Sequence, residues 1–199
     1  MTNKEFIEAI ATLVQKHVKS YGYGVPSAII AQACLESAYG TSNKAKYHNY
    51  FGMKYRENRV SCNSGTFTDT SMEQKSDGSY VGISTKWYKF DSMDKGVEGY
   101  FQFISISNYA DARKKTDPEA YLTALKAGGY ATSINYVTNL MNVIEKWNLT
   151  QYDKKEEVKT VTKVSKPTIK TNLTTSNYTK MSSKKNKYIV IHYTGSLGS

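Results

Sequence analysis

The 199 residues are 39% hydrophobic, 13% aromatic and 22% charged, with a net charge of +10. No apolar run approaches the ~18 residues a transmembrane helix needs, and the opening Met-Thr-Asn-Lys-Glu leads straight into an amphipathic pattern, so neither a membrane span nor a classical secretion signal is expected. Two cysteines, Cys34 and Cys62, are too few for a disulfide framework and are expected as buried or free thiols.

Residues 2–20 read as a helix: Thr2 and Glu5 form a capping-box pair, and Phe6, Ile10, Leu13, Val14 and Val18 recur at helical spacing. Tyr21-Gly-Tyr-Gly24 breaks it, and Pro26 opens a second helix running to about Ser37. From Val25 to Leu35 only Pro26, Ser27 and Gln32 interrupt the apolar residues, which predicts a helix buried nearly all round. Thr, Ser, Tyr and Val dominate residues 60–90; Asp77-Gly78 signals a two-residue hairpin turn, and Val81, Ile83, Thr85 and Trp87 alternate as one strand face would. Helical spacing returns at Met93, Val97, Tyr100, Phe101 and Ile104. A short helix is predicted over 118–127, between Asp117-Pro118 and Gly128-Gly129, and a last one from Ser133 to Trp147. The expected class is α+β, a mostly helical domain with one β-hairpin over residues 1–152.

The remainder differs in composition. Residues 153–199 hold ten lysines and three acids, +7 of the total +10. Residues 153–187, rich in Lys, Thr, Ser and Asn, read as a linker that cannot bury enough surface to fold alone. Lysines of this kind either attract polyanions, such as the acidic polymers of a bacterial wall, or simply keep a linker solvated. Lys187-Tyr-Ile-Val-Ile-His192-Tyr-Thr194 then reads as a buried-type strand without partners. Either the chain is cut inside a second domain, which is the expectation favoured here, or the strand pairs back onto the first. A nucleic-acid binder would rest on the +10 charge alone and is not expected, nor is a membrane partner.

Glu36 is the sharpest candidate for chemistry. It ends the most apolar helix, and between Lys19 and Lys44 the only other ionisable side chains are tyrosines and Cys34. A carboxyl that loses water on folding has a raised pKa, which suits a proton donor near neutral pH. The competing reading is a glutamate that caps a neighbouring helix or meets an arginine. Glu73, just before the hairpin turn, is the natural second carboxylate, against the reading of a solvated hairpin acid. Tyrosine clusters such as Tyr47, Tyr50 and Tyr55 fit the apolar faces of sugar rings, although such residues are as often plain core. His17 and His48 have no metal-ligand spacing with each other or with the cysteines, so no metal or other cofactor is expected.

These residues fall into blocks that resemble a known family. Ala31-Gln-Ala-Cys-Leu-Glu36-Ser-Ala-Tyr-Gly-Thr-Ser42 is similar to the catalytic helix end of family 73 glycoside hydrolases, N-acetylglucosaminidases that cut peptidoglycan and usually show Glu-Ser-Gly-Trp-Gly-x-Ser here. Asn49-Tyr-Phe51-Gly-Met-Lys54, Thr70-Ser-Met-Glu73, Phe90-Asp-Ser92 and Gly129-Tyr130-Ala-Thr132 with Asn135-Tyr136 resemble its later blocks, in the same order. The resemblance implies a lysozyme-like fold with a cleft between helices and hairpin. It implies Glu36 as general acid, Glu73 as second acid or base, and Tyr130 beside the reacting sugar. Gln32, Asn49, Phe51 and Tyr136 would bind substrate. Ala38-Tyr39 replace the usual Gly-Trp, Gln74 replaces the tyrosine after the hairpin acid, and Ser133-Ile134 replace Asp-Pro. The tail around His192 resembles the first strand of zinc-dependent N-acetylmuramoyl-L-alanine amidases, without their other ligands. Together these imply the glucosaminidase part of a phage or prophage endolysin, made in the host cytoplasm and acting on the wall after release. A muramidase and a non-catalytic wall-binding module are the alternatives.

Overall fold

The computed structural model describes residues 1–74 and 77–153, with 71–74 and 80 as backbone alone. The expected linker beyond Asp153 and the strand carrying His192 lie outside the described residues.

Helix α1 (Asn3–Tyr21) begins as its sequence predicts: the Thr2 hydroxyl accepts from the Glu5 backbone N–H at 3.2 Å and Glu5 Oε2 accepts from that of Thr2 at 2.7 Å. Its apolar stripe, Phe6, Ile10, Val14 and Val18, is buried against α2 (Pro26–Glu36). Every residue of α2 from Pro26 to Cys34 is buried, so this helix is the axis of the core. It carries no capping side chain of its own at the N-terminus. The cap comes from the far end of the domain, where the Asp153 carboxylate accepts from the Ser27 N–H at 2.7 Å. Asp153, which composition assigns to the linker, is therefore tied into the fold.

Strands β1 (Gly65–Gln74) and β2 (Tyr80–Lys89) form an antiparallel pair in register from Gly65–Lys89 to Gln74–Tyr80. That register centres on Asp77, so an odd number of residues joins the strands, and the expected two-residue turn does not form. Asp77 instead accepts from the N–H and hydroxyl of Ser79 at the tip. The alternating face of β2 becomes a buried face only at its base. On that face Trp87 is buried beneath the Lys44 ammonium at the cleft, whereas Ile83 is 47% exposed, because the outer half of a two-stranded ribbon stands clear of the helices. Tyr88, on the opposite face, enters the core.

After Ser92, whose hydroxyl caps its N-terminus, α3 (Met93–Ile104) packs on α1. A Cβ on Gly96 would come within 2.0 Å of the His48 carbonyl oxygen, so only glycine permits this approach. A 3-10 turn (Ser107–Tyr109) and the one-turn helix α4 (Ala110–Arg113) follow, both too short to leave a hydrophobic period. Helix α5 (Pro118–Ala127) has the expected Asp117 cap. Helix α6 runs Tyr136–Lys146, later than the predicted start at Ser133, because residues 132–135 form a loop. Cys34 is buried, and both cysteines are free.

Candidate active site

Helix α2 stops abruptly. The Ser37 hydroxyl donates to the Ala33 carbonyl at 2.5 Å and accepts from the Gly40 N–H at 2.8 Å. Ala38, Tyr39 and Gly40 then take φ of 48°, 54° and 79°, three left-handed residues that turn the chain away. Glu36 is left as the last residue of a buried helix, half-buried at the floor of a cleft of about 830 Å³.

One wall of the cleft is the hairpin base, with Thr70 and Trp87; the other is the loop 129–133 with Tyr136. Burial pushes the Glu36 carboxyl from an ordinary 4.5 up to about 7, with the Lys44 ammonium pulling weakly the other way. Its place at a helix C-terminus acts in the same direction as burial, since the dipole there disfavours negative charge. No hydrogen bond to this carboxyl is present among the described residues. Gly52, at φ +60°, gives it room: a Cβ there would lie 3.1 Å from Oε2. The alternative sequence reading, a glutamate paired with arginine, is not what these residues show.

Behind Glu36 runs a chain of phenols. One turn back on α2, Gln32 donates its amide to the Tyr136 hydroxyl at 2.7 Å and accepts from the Tyr100 hydroxyl at 2.6 Å, which meets that of Tyr121 at 2.7 Å. Tyr130 donates to the Phe51 carbonyl at 2.8 Å. Burial holds Tyr130 and Tyr136 well above the usual phenol range, and the Glu36 charge adds to this in both. They stay neutral wherever Glu36 can titrate.

The structure thus brings Glu36, Tyr130, Tyr136 and Phe51 to one cleft. Gln32 and Asn49, expected to bind substrate, do not line it. Gln32 is fully buried in the phenol chain, and the Asn49 side chain is consumed inside the core by the Met53 N–H and the carbonyls of Met53 and Tyr88. Both brace the site rather than contact a ligand. Phe51 also has its ring fully buried, stacked 4.1 Å from Tyr100, and serves the cleft through its carbonyl. Glu73 stands on β1 opposite Val81, on the strand whose Thr70 lines the cleft. Sequence reasoning passed over four cations at the rim, Lys44, Lys54, Arg56 and Arg59, together with Trp87 and Tyr109. The signal available was Lys54, which ends the Asn49 block, with Arg56 just beyond it, and no hint of where those side chains go.

Comparison with known proteins points the same way. Residues 11–149 match the family described as glucosaminidase, mannosyl-glycoprotein endo-beta-N-acetylglucosaminidase. The chain is 30% identical over 157 residues to the exo-glucosaminidase LytG of Bacillus subtilis, which covers 74% of this chain and 52% of that protein. It is 28% identical over 165 residues to a probable N-acetylmuramidase of Lactococcus lactis, covering 76% of this chain and 35% of the relative. The chain therefore spans about a third to a half of these relatives. Among solved structures, the catalytic domain of the autolysin Auto from Listeria monocytogenes superposes with a TM-score of 0.61 at 28% identity, over 75% of this chain and 86% of that one.

Proposed function

We propose, for a chain that belongs to the glucosaminidase family of glycoside hydrolases, that the cleft hydrolyses the β-1,4 bond on the reducing side of N-acetylglucosamine in bacterial peptidoglycan. The α+β lysozyme-like fold is the one shared with the solved peptidoglycan hydrolases. The observation that carries the reaction is Glu36: a carboxyl at the floor of a cleft, lifted by burial to about 7. Near neutral pH about half of the molecules keep a proton there, which the carboxyl can give to the departing glycosidic oxygen as positive charge grows at the anomeric carbon. Glu73 is the second carboxylate of this reading, orienting the attacking group. Tyr130, fixed by the Phe51 carbonyl, stands beside the reacting sugar. The wider setting we propose is an endolysin acting on the wall after release, supported by the resemblance of the tail around His192 to an amidase strand.

A muramidase, cutting the other alternating bond, is the second reading; the Lactococcus relative, a probable N-acetylmuramidase, favours it. Digestion of purified peptidoglycan, borohydride reduction and mass spectrometry separate the two. Reduced N-acetylglucosamine is the expected new end, and it should form equally in the presence of a chelator, since a carboxyl supplies the proton. Reduced N-acetylmuramic acid would overturn the bond assigned here and keep Glu36. No new reducing ends would return the chain to the wall-binding alternative.

A further inference from the structure

Beyond Glu36, the charged residues lining the cleft among those described are all cations. Three of them, Lys44, Arg56 and Arg59, have no carboxylate within ion-pair distance among the described residues. A neutral glycan does not call for this. Sugar rings offer hydroxyls and C–H faces, which tyrosine, tryptophan and amides serve without the cost of holding like charges together.

Arg59 is the most constrained of the three. Its Nε donates to the Phe103 carbonyl at 2.9 Å, and its guanidinium lies 4.0 Å over the Phe103 ring and 5.6 Å from that of Tyr109. Nη2 is closed to solvent and has no hydrogen-bond partner among the described residues, while the Arg59 side chain as a whole is half-buried and lines the cleft. A stacked guanidinium has already lost its rotamer freedom and binds a carboxylate with little further ordering. The platform is continuous with the reacting end: Phe103 and Tyr109 both meet the Tyr130 ring edge-on, at 6.2 and 6.1 Å between centroids. Arg56, exposed at the same rim, adds a second cation.

We propose that Arg59, with Arg56, forms a carboxylate subsite that receives the anionic peptide stem carried by the muramoyl residue next to the scissile bond. The enzyme would then discriminate stem-bearing glycan from bare glycan of the same backbone. This rests on the peptidoglycan reading above and adds to it a specificity residue that acts through binding, not proton transfer.

The test uses the full chain and two substrates: peptidoglycan freed of phosphate-bearing polymers with stems intact, and the same strands after enzymatic removal of the stems. Removing the phosphate polymers takes away the other source of anions. For the unaltered protein, kcat/KM on stem-bearing strands is expected to exceed that on stripped strands by tenfold or more. Arg59→Gln should bring this ratio near one, chiefly by raising KM on stem-bearing strands, with Arg59→Lys in between. Arg56→Gln should lower the ratio part of the way, and because Arg56 is exposed it reads the proposal even where Arg59→Gln fails to fold. A ratio near one in the unaltered protein overturns the subsite while leaving the hydrolase reading intact. So does an Arg59→Gln loss equal on both substrates, which would mark Arg59 as a structural brace. Absence of new reducing ends from either substrate would instead count against the hydrolase reading.

Discussion

Glu36 illustrates how one residue can carry opposed demands. Its folded-state pKa, about 7, lies above the ordinary 4.5, so folding favours its protonated form. The stability this permits is fully present below pH 4.5 and is lost as pH rises through 7, by at most roughly 3 kcal/mol. Glu36→Gln should therefore match the unaltered protein in thermal melts at pH 4 and melt higher at pH 8, while hydrolysis falls by ~10²–10⁴-fold. Loss within tenfold would remove Glu36 from the proton-donor role. Ala38 carries a different tension. It holds φ 48° on an exposed turn, where the family resemblance has glycine. Ala38→Gly should stabilise by about 0.5–1 kcal/mol, since relief of left-handed strain outweighs the added freedom of the unfolded chain. A denaturant midpoint that moves downwards would show the strain to be absent.

At the scale of elements, local signals were sufficient wherever a cap and a period agreed. Thr2 with Glu5 and Asp117 each cap the helix that the sequence assigns to them, and Ser92 caps the helix whose period the sequence begins at Met93. Helix α2 departs from this, because its cap arrives from Asp153, 126 residues away. Asp153→Ala should cost about 1 kcal/mol. A chain ending after Asp153 should melt close to the full one, and a chain ending after Tyr152 should share the Asp153→Ala loss. Equal melting of all four would show that water caps α2 equally well. The hairpin teaches a related lesson: Asp77-Gly78 marked the tip, yet the centring of the register on Asp77 excluded a two-residue turn.

For the whole molecule, charge separates chemistry from retention. The ten lysines beyond Asp153 belong to a segment whose composition is that of a linker. A chain ending after Asp153 should bind anionic walls more weakly than the full chain at low ionic strength. That difference should shrink as added salt cuts the Debye length from ~10 Å toward ~3 Å near 1 M, which pull-down across a salt series would measure. Equal binding at every salt concentration would assign wall affinity to the cleft domain alone.

By itself the sequence determined the helices with matched caps, the extended run that becomes the hairpin, and the isolation of Glu36 at the end of an apolar helix. Each is written within a few turns of chain, where spacing and capping chemistry act locally. Tertiary structure decided the rest. Gln32 and Asn49 look like ligand-binding amides in their motifs, yet the fold spends one on Tyr136, 104 residues away, and the other on the backbone of β2 and its neighbours. Arg59 reads as one surface cation among many until Phe103 and Tyr109, from another part of the chain, fix its guanidinium over rings that themselves meet Tyr130. The pKa of Glu36 belongs to the same class. The helix supplies the carboxyl, but only α2 packed among α1, α5 and α6 removes the water that would have held it near 4.5.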